Sequence, residues 1–310
     1  MGRSTYRHEG VLKSVVATLS DEQSLNNISL RQWHGEPLPS RSVVAEFVEL
    51  CRSVIFPGFF DNEGLNSFNL EYRIGLTCER LCKLLEEQII ACHTLVLHTT
   101  EHRCDVEGIK QKALDGTRLF VAELPELRRI LHTDVDSTYL GDPAATCTEE
   151  VIYCYPGLRA ICNYRIAHTL VKLGVPILPR IISELAHSET GIDIHPAAQI
   201  GEHFTIDHGT GIVIGATAII GDRVKLYQGV TLGAKSFDLD ENNNPIKGVP
   251  RHPILGNDVV VYSNASILGR VHIGDGATIG GNLWVTTDIP AGAKVTQGKA
   301  KLGHTIHFEN

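Results

Sequence analysis

Residues 191–233 read GIDIHPAAQIGEHFTIDHGTGIVIGATAIIGDRVKLYQGVTLG, and residues 254–285 read ILGNDVVVYSNASILGRVHIGDGATIGGNLWV. Aliphatic residues recur at every sixth position in both. Ile194, Ile200, Ile206 and Ile212 keep one register, and Ile214, Ile220, Leu226 and Leu232 keep a second, displaced by two; Leu255, Val261, Ile267, Ile273, Ile279 and Val285 then resume the step. Four residues after many of these comes a small or β-branched residue: Ala198, Thr210, Ala218, Val224, Val259, Ala265, Val271 and Ala277. A step of six fits neither the helical period nor the alternation of a long strand. It is the step of short strands separated by corners, three strands to a triangular coil, with the aliphatic of each hexad pointing down the axis. The alternative, a glycine-rich β-sandwich, would need six consecutive hits from Leu255 to Val285 to arise by accident.

Working outward, the hexads stop between Leu232 and Leu255, where GAKSFDLDENNNPIKGVPRHP intervenes. Such a polar run cannot continue the coil, so residues 233–253 are expected to leave it as an external loop, and a long loop on a rigid scaffold is a natural component of a site. Towards the N-terminus the period becomes helical. Phe47, Leu50, Cys51, Val54 and Ile55 share a face that ends at Pro57-Gly58; a second helix is expected from Leu76 to Thr94, with Leu81, Leu84, Leu85 and Ile89 inward. A third over Val106–Leu124 is expected to give way at Pro125 to a fourth with Leu127, Ile130 and Leu131 inward. Pro156 opens another, with Leu158, Ile161, Cys162, Ile166 and Leu170 inward, and Ile177–Ala186 a last short one. The helices from Pro156 to Ala186 are placed to cover the open end of the coil. Residues 1–40 read as a weakly ordered lead-in.

Composition narrows the function. A net charge of −8 argues against a nucleic-acid backbone as partner. No apolar run approaches the roughly 20 residues of a membrane span and no signal-peptide core follows the N-terminus, so a cytoplasmic location is expected. The eight cysteines all precede the repeats, mostly within apolar helical faces and without a CxxC pair, which suits reduced thiols better than a disulfide framework or a zinc site. Cys78 and Cys82, one turn apart, read as core residues.

Ionisable groups concentrate in GIDIHP (191–196), IDHGTG (206–211) and RHP (251–253). Asp193 lies fifteen residues before His208, close to one coil, so the two can fall on adjacent rungs. A carboxylate that accepts a hydrogen bond from one imidazole nitrogen leaves the other free as a general base, as deprotonation of an attacking alcohol requires. With no GxSxG elbow, direct transfer fits better than a covalent intermediate.

GIDIHPAAQIG, IDHGTGIVIG, VTLGA and RHP, with GDPA at 141–144 and YPGLRAICNYRIAH at 155–168, resemble the serine O-acetyltransferases, hexapeptide-repeat enzymes of cysteine biosynthesis. The resemblance covers residues 134–290. It implies an α+β chain, an N-terminal α-helical domain (1–187) followed by a left-handed parallel β-helix (188–310) with a C-terminal tail. It also implies that His208 is the base and Asp193 its orienting carboxylate. Asp142 and Asp207 would hold the serine ammonium, Arg251 its carboxylate, and His252 would line the pocket; an amino acid needs anions at one end and a guanidinium at the other. Acetyl-CoA, the cosubstrate, would lie between neighbouring coils near Gly233, Ala234, Tyr262 and Ser263, in a site shared by two subunits of a homotrimer, or of a hexamer built from two trimers. L-cysteine, near-isosteric with serine, is the expected inhibitor, and no metal is expected. The sequence departs from the family's commoner pattern at Ala234, Pro250 and Ala216 and in its longer loop. It also ends His307-Phe308-Glu309-Asn310 without the isoleucine that similar proteins insert into O-acetylserine sulfhydrylase, so weak or no complex with that enzyme is expected. Three rivals remain: an acyltransferase for a sugar or xenobiotic, a γ-type carbonic anhydrase using His203 and His208, and an inactive scaffold.

Overall fold

The computed structural model describes residues 8–21, 38–60, 64, 66–100, 105–236 and 239–298. Among them, seven helices precede the repeats: α1 (Glu9–Leu19), α2 (Arg41–Ile55), α3 (Leu70–Thr100), α4 (Val106–Gly141), α5 (Thr148–Cys154), α6 (Pro156–Lys172) and α7 (Leu178–Thr190). Ser40 caps α2 by accepting a hydrogen bond from the Val43 amide, and α2 buries Val44, Phe47, Val48, Cys51, Val54 and Ile55. Leu81, Leu84, Leu85 and Ile89 of α3 are buried, as their period requires. Cys51, Cys92 and Cys162 are buried free thiols. Burial pushes the Cys51 thiol well up and that of Cys92 to about 12, so neither is a thiolate at neutral pH.

One expectation fails here. Pro125 does not separate two helices but lies inside the 36-residue α4. Its ring is on the exposed side, where the Val121 carbonyl deprived of a partner can bond water, while the stripe of Leu124, Leu127 and Leu131 stays buried. Within the lead-in, the described residues include α1. None of its residues is buried: Val11, Leu12, Val15, Val16 and Leu19 share one exposed apolar side.

The repeats form fourteen short strands: β1 (Asp193–Ile194), β2 (Gln199–Ile200), β3 (Thr205–Asp207), β4 (Val213–Ile214), β5 (Ile219–Ile220), β6 (Lys225–Tyr227), β7 (Thr231–Gly233), β8 (Ile254–Leu255), β9 (Val260–Val261), β10 (Ser266–Leu268), β11 (His272–Ile273), β12 (Thr278–Ile279), β13 (Trp284–Val285) and β14 (Lys294–Val295). They stack into three parallel sheets, the faces of a solenoid: β1-β4-β7-β10-β13, β2-β5-β8-β11 and β3-β6-β9-β12-β14. Ile194, Ile214, Leu232, Ile267 and Val285 fill the axis from the first face, Ile220, Leu255 and Ile273 from the second, and Ile206, Leu226, Val261 and Ile279 from the third. The external loop leaves after β7 and returns at β8.

The register explains the displacement by two seen in the sequence. Asp193 pairs with Val213, whereas Val213 pairs with Thr231, so the first coil takes 20 residues and the second 18. Ile212 is therefore not a fourth hexad aliphatic; it is the buried residue two before Ile214, equivalent to Val230 before Leu232. Thr210 likewise is exposed in the turn, unlike Ala198 or Ala218.

Helix α6 lies across the first coil and bonds its outward carbonyls. The Tyr164 hydroxyl donates to the Ala198 oxygen at 2.7 Å, and Arg165 donates to the oxygens of Ile200 at 2.8 Å and Gly201 at 2.6 Å. Arg165 also pairs through two hydrogen bonds, 3.1 and 3.0 Å, with Asp134 of α4, which accepts the Phe204 amide at 2.9 Å. Asp134 and Arg165 are almost wholly buried, their side chains 0 and 6% exposed, so this pair fastens helices to solenoid.

Candidate active site

The two extra residues of the first coil fall between β3 and β4, in the turn that carries His208. His208 has φ +58° and Gly209 φ +93°. A side chain at 209 would collide with Ile192 and Ile206, so glycine is required there. The turn is stitched to the strand below: the Gly211 amide donates to the Gly191 oxygen at 2.8 Å and the Asp193 amide to the Ile212 oxygen at 2.9 Å. His208 is thus thrown outward, its side chain 77% exposed, at the corner between the third and first faces.

Around that corner sits an acidic set. His208 Nε2 is 3.6 Å from Asp207 Oδ1, and Lys225 Nζ is 2.9 Å from Asp207 Oδ2. Lys225 also donates to the Gly141 carbonyl at 2.8 Å, which ties the end of α4 to the third face. The next residue, Asp142, accepts the Tyr155 hydroxyl at 2.6 Å and the Ala144 amide at 2.8 Å. Those bonds, with the charges of Lys225 and His208, hold the Asp142 carboxyl below its ordinary range, while Asp142 pushes the Tyr155 phenol up to about 12. Burial pulls the Lys225 ammonium down, but its bonds to Asp207 and Tyr227 outweigh this and raise it. Tyr155 and Lys225 escaped the sequence reading. The 20-residue coil was the available signal, since it aligns Thr205 with Lys225 and Asp207 with Tyr227.

Arg251 and His252 fall at a different corner, between the first and second faces, where the loop rejoins the coil. Thr217 anchors them: its Oγ1 accepts the amides of Arg251 at 2.9 Å and His252 at 3.2 Å. The Thr217 amide donates to His252 Nδ1 at 3.1 Å, which places the imidazole proton on Nε2. Burial, then the charges of Arg251 and Arg270, lower the His252 pKa, so the ring is neutral at physiological pH. Gly215 leaves room for this ring, which a side chain at 215 would overlap. Nearby His195 is lowered to about 4 by burial and by Arg180, His252 and Arg251.

Asp193 points outward on the first face, between the two corners. Among the described residues no hydrogen bond links it to His208; its carboxylate instead lies within 4.8 Å of ligand atoms of Glu184 and His187. That trio is the one group of three metal-type ligands among the described residues, and it contains neither His203 nor His208. Gly233 and Ala234 lie at the corner shared with Arg251, and Tyr262 and Ser263 at the corner shared with His208. Tyr262 stacks on Tyr227, centroids 5.0 Å apart.

A solenoid of six-residue repeats bearing an outward histidine beside carboxylates at one corner and a guanidinium at the next has the architecture of a hexapeptide-repeat acyltransferase. Residues 252–287 match the family described as bacterial transferase hexapeptide (six repeats). A serine acetyltransferase of Synechococcus elongatus, plasmid-borne by its name, is 44% identical over 304 residues, 96% of this chain and 94% of that protein. Serine acetyltransferase 1 of Entamoeba histolytica, solved in complex with L-cysteine, superposes with a TM-score of 0.71 at 33% identity, covering 90% of this chain and 93% of the other. Isoform 3 of that organism, solved in complex with cysteine, gives 0.69 at 30% identity over 95% of this chain and 93% of the other. The chain belongs to the serine acetyltransferases.

Proposed function

We propose that the chain transfers the acetyl group of acetyl-CoA to the hydroxyl of L-serine, giving O-acetylserine and CoA for cysteine biosynthesis. One observation carries the reading: an acidic pair beside an exposed histidine at one corner, and a guanidinium beside a neutral, Nε2-protonated histidine at another. Asp142 and Asp207 suit an ammonium; Arg251 and the His252 Nε2 proton suit a carboxylate. Because the two sets occupy different corners of one solenoid, a single serine meets both where the corner of one chain abuts that of a second copy. The homotrimer supplies this.

His208 takes the serine hydroxyl proton as the oxygen attacks the thioester carbonyl. The tetrahedral adduct collapses, the carbon–sulfur bond breaks, and the imidazolium returns the proton to the CoA sulfur. Asp193 is the orienting carboxylate in this scheme on the strength of the sequence resemblance; its carboxylate lies with Glu184 and His187, so the role requires the exposed His208 side chain to turn towards it. Gly233, Ala234, Tyr262 and Ser263 line the groove for CoA. The test is thiol release from acetyl-CoA with serine against a panel of sugar and other hydroxyl acceptors. Serine is expected to be the preferred acceptor, and acetylation of a sugar in its place would overturn the proposal.

Lys225 holds Asp207 and the Asp142 segment together and lowers the Asp142 pKa. Replacing it by methionine removes that charge and the tie to the Gly141 carbonyl, so KM for serine is expected to rise with kcat less affected; an unchanged KM would show that Lys225 acts on stability alone. L-cysteine presents the same ammonium and carboxylate as serine, and two relatives were solved with it bound. Competitive inhibition against serine is expected, and indifference to millimolar cysteine would remove this part. No described helix is long and apolar enough to cross a membrane. The tail expected to bind O-acetylserine sulfhydrylase weakly lies outside the described residues.

A further inference from the structure

The external loop opens a gap in one corner of the solenoid, the corner that carries Arg251 and His252. Residues 215–218 turn that corner on the rung below and residues 269–271 on the rung above, whereas residues 234–253 intervene between β7 and β8. A short turn fixes its own ends, but a long exposed excursion does not, so the return of this one must be held from outside. Gly269 and Arg270, on the rung above, hold both ends. The Gly269 amide donates to the Gly233 oxygen at 3.0 Å where the loop leaves. Where it returns, half-buried Arg270 donates from Nη1 to the His252 oxygen at 3.0 Å and to the Thr217 oxygen at 2.6 Å.

The register puts these residues in one column. Ile219 pairs with Ile254 and Ile254 with His272, so Thr217, His252 and Arg270, each two residues earlier, occupy the same corner position on three successive rungs. Arg270 thus reaches down past His252 to Thr217. Those are the residues that set the corner: Thr217 Oγ1 accepts the amides of Arg251 and His252, and the Thr217 amide donates to His252 Nδ1. Bonds from a guanidinium to main-chain oxygens are charge-assisted and stronger than neutral ones. After burial and Arg251, the charge of Arg270 also contributes to lowering the His252 pKa. We infer that Arg270 is a positioning residue for the serine carboxylate, closing the corner that the loop leaves open and so fixing where Arg251 and His252 stand. The inference rests on the reading of those two residues as the carboxylate anchors.

The test compares Arg270→Ala and Arg270→Lys with the wild-type full chain. In Arg270→Ala, KM for serine is expected to rise about three- to tenfold while kcat stays within about twofold, as when a binding contact is disturbed and the reacting groups are not. Lysine keeps a charged donor that can reach one of the two carbonyls, so Arg270→Lys should show the same rise in smaller measure; it carries the comparison if the alanine variant does not fold. A second readout needs no substrate. Hydrogen exchange of the Arg251 and His252 amides, which Thr217 Oγ1 shelters, should quicken about tenfold or more in Arg270→Ala, with exchange in the His208 turn unchanged. An arginine that served stability alone would lower the unfolding midpoint and leave both KM and this local exchange where they were, and that result overturns the proposal. A fall in kcat with KM unmoved overturns it too. If the wild type does not turn over serine, the proposed reaction fails, and the amide exchange still decides whether Arg270 sets this corner.

Discussion

Replacing His208 by alanine is expected to lower serine-dependent release of CoA thiol by about 10²- to 10⁴-fold, the range that a general base contributes. The side chain is exposed and takes no part in the core, so the variant should stay folded. Because position 208 has φ +58°, asparagine, which tolerates that conformation better than alanine, is the companion variant that removes the base with least disturbance. Full activity in either would displace His208 from its role. Arg251→Ala should instead act mainly on serine affinity, raising KM about 10- to 100-fold through loss of a charge-assisted hydrogen bond. A site shared between subunits makes a sharper demand. Chains carrying His208→Ala and chains carrying Arg251→Ala, co-expressed in equal amounts and assayed with serine far below KM, where each variant alone is nearly inactive, should recover about one quarter of the wild-type kcat/KM, since random mixing around a ring restores one intact site in four. No recovery would place both residues in the same subunit's site.

Arg165→Leu is expected to destabilise the chain by about 3–5 kcal/mol, the range measured when one partner of a buried ion pair is removed. Asp134 would keep its position with no exposed surface, still accepting the Phe204 amide but lacking its counter-charge, and the Ile200 and Gly201 oxygens would lose their donor. Replacing both Asp134 and Arg165 by leucine removes the stranded charge and should recover part of the loss. It should not recover all, because three main-chain groups of the first coil remain unpaired. Urea unfolding of the single and double variants measures this directly; a single-variant loss under about 1 kcal/mol would mean that packing alone holds the helices to the solenoid.

The sequence made the winding legible because period six has few physical solutions, and the buried faces of α2, α3 and α6 followed from helical spacing. Its failures are equally physical. Pro125 marks a helix boundary only where the lost hydrogen bond cannot be replaced, and exposure, which decides that, is invisible before the fold. Val11, Leu12, Val15, Val16 and Leu19 do recur at helical spacing, but over only three turns and with polar stretches on either side, so the segment reads with its surroundings. At the site, Asp142, Asp207, Arg251 and His252 were named from motifs, yet their division between two corners depends on where the third and first faces turn. Lys225 was missed because its partner, the Gly141 carbonyl, lies 84 residues away in the chain.

The surplus of two residues in the first coil deserves a last thought about what uniformity would do. A chain wound at constant pitch would stack its rungs as tightly and bury the same aliphatic column, yet the corner after β3 would be as tight as the one at Gly229, without the wider turn that holds His208. On the proposed assignment of His208, reactivity resides in a lapse of the solenoid's own periodicity, and designers who regularise such solenoids for robustness should expect to erase that chemistry first.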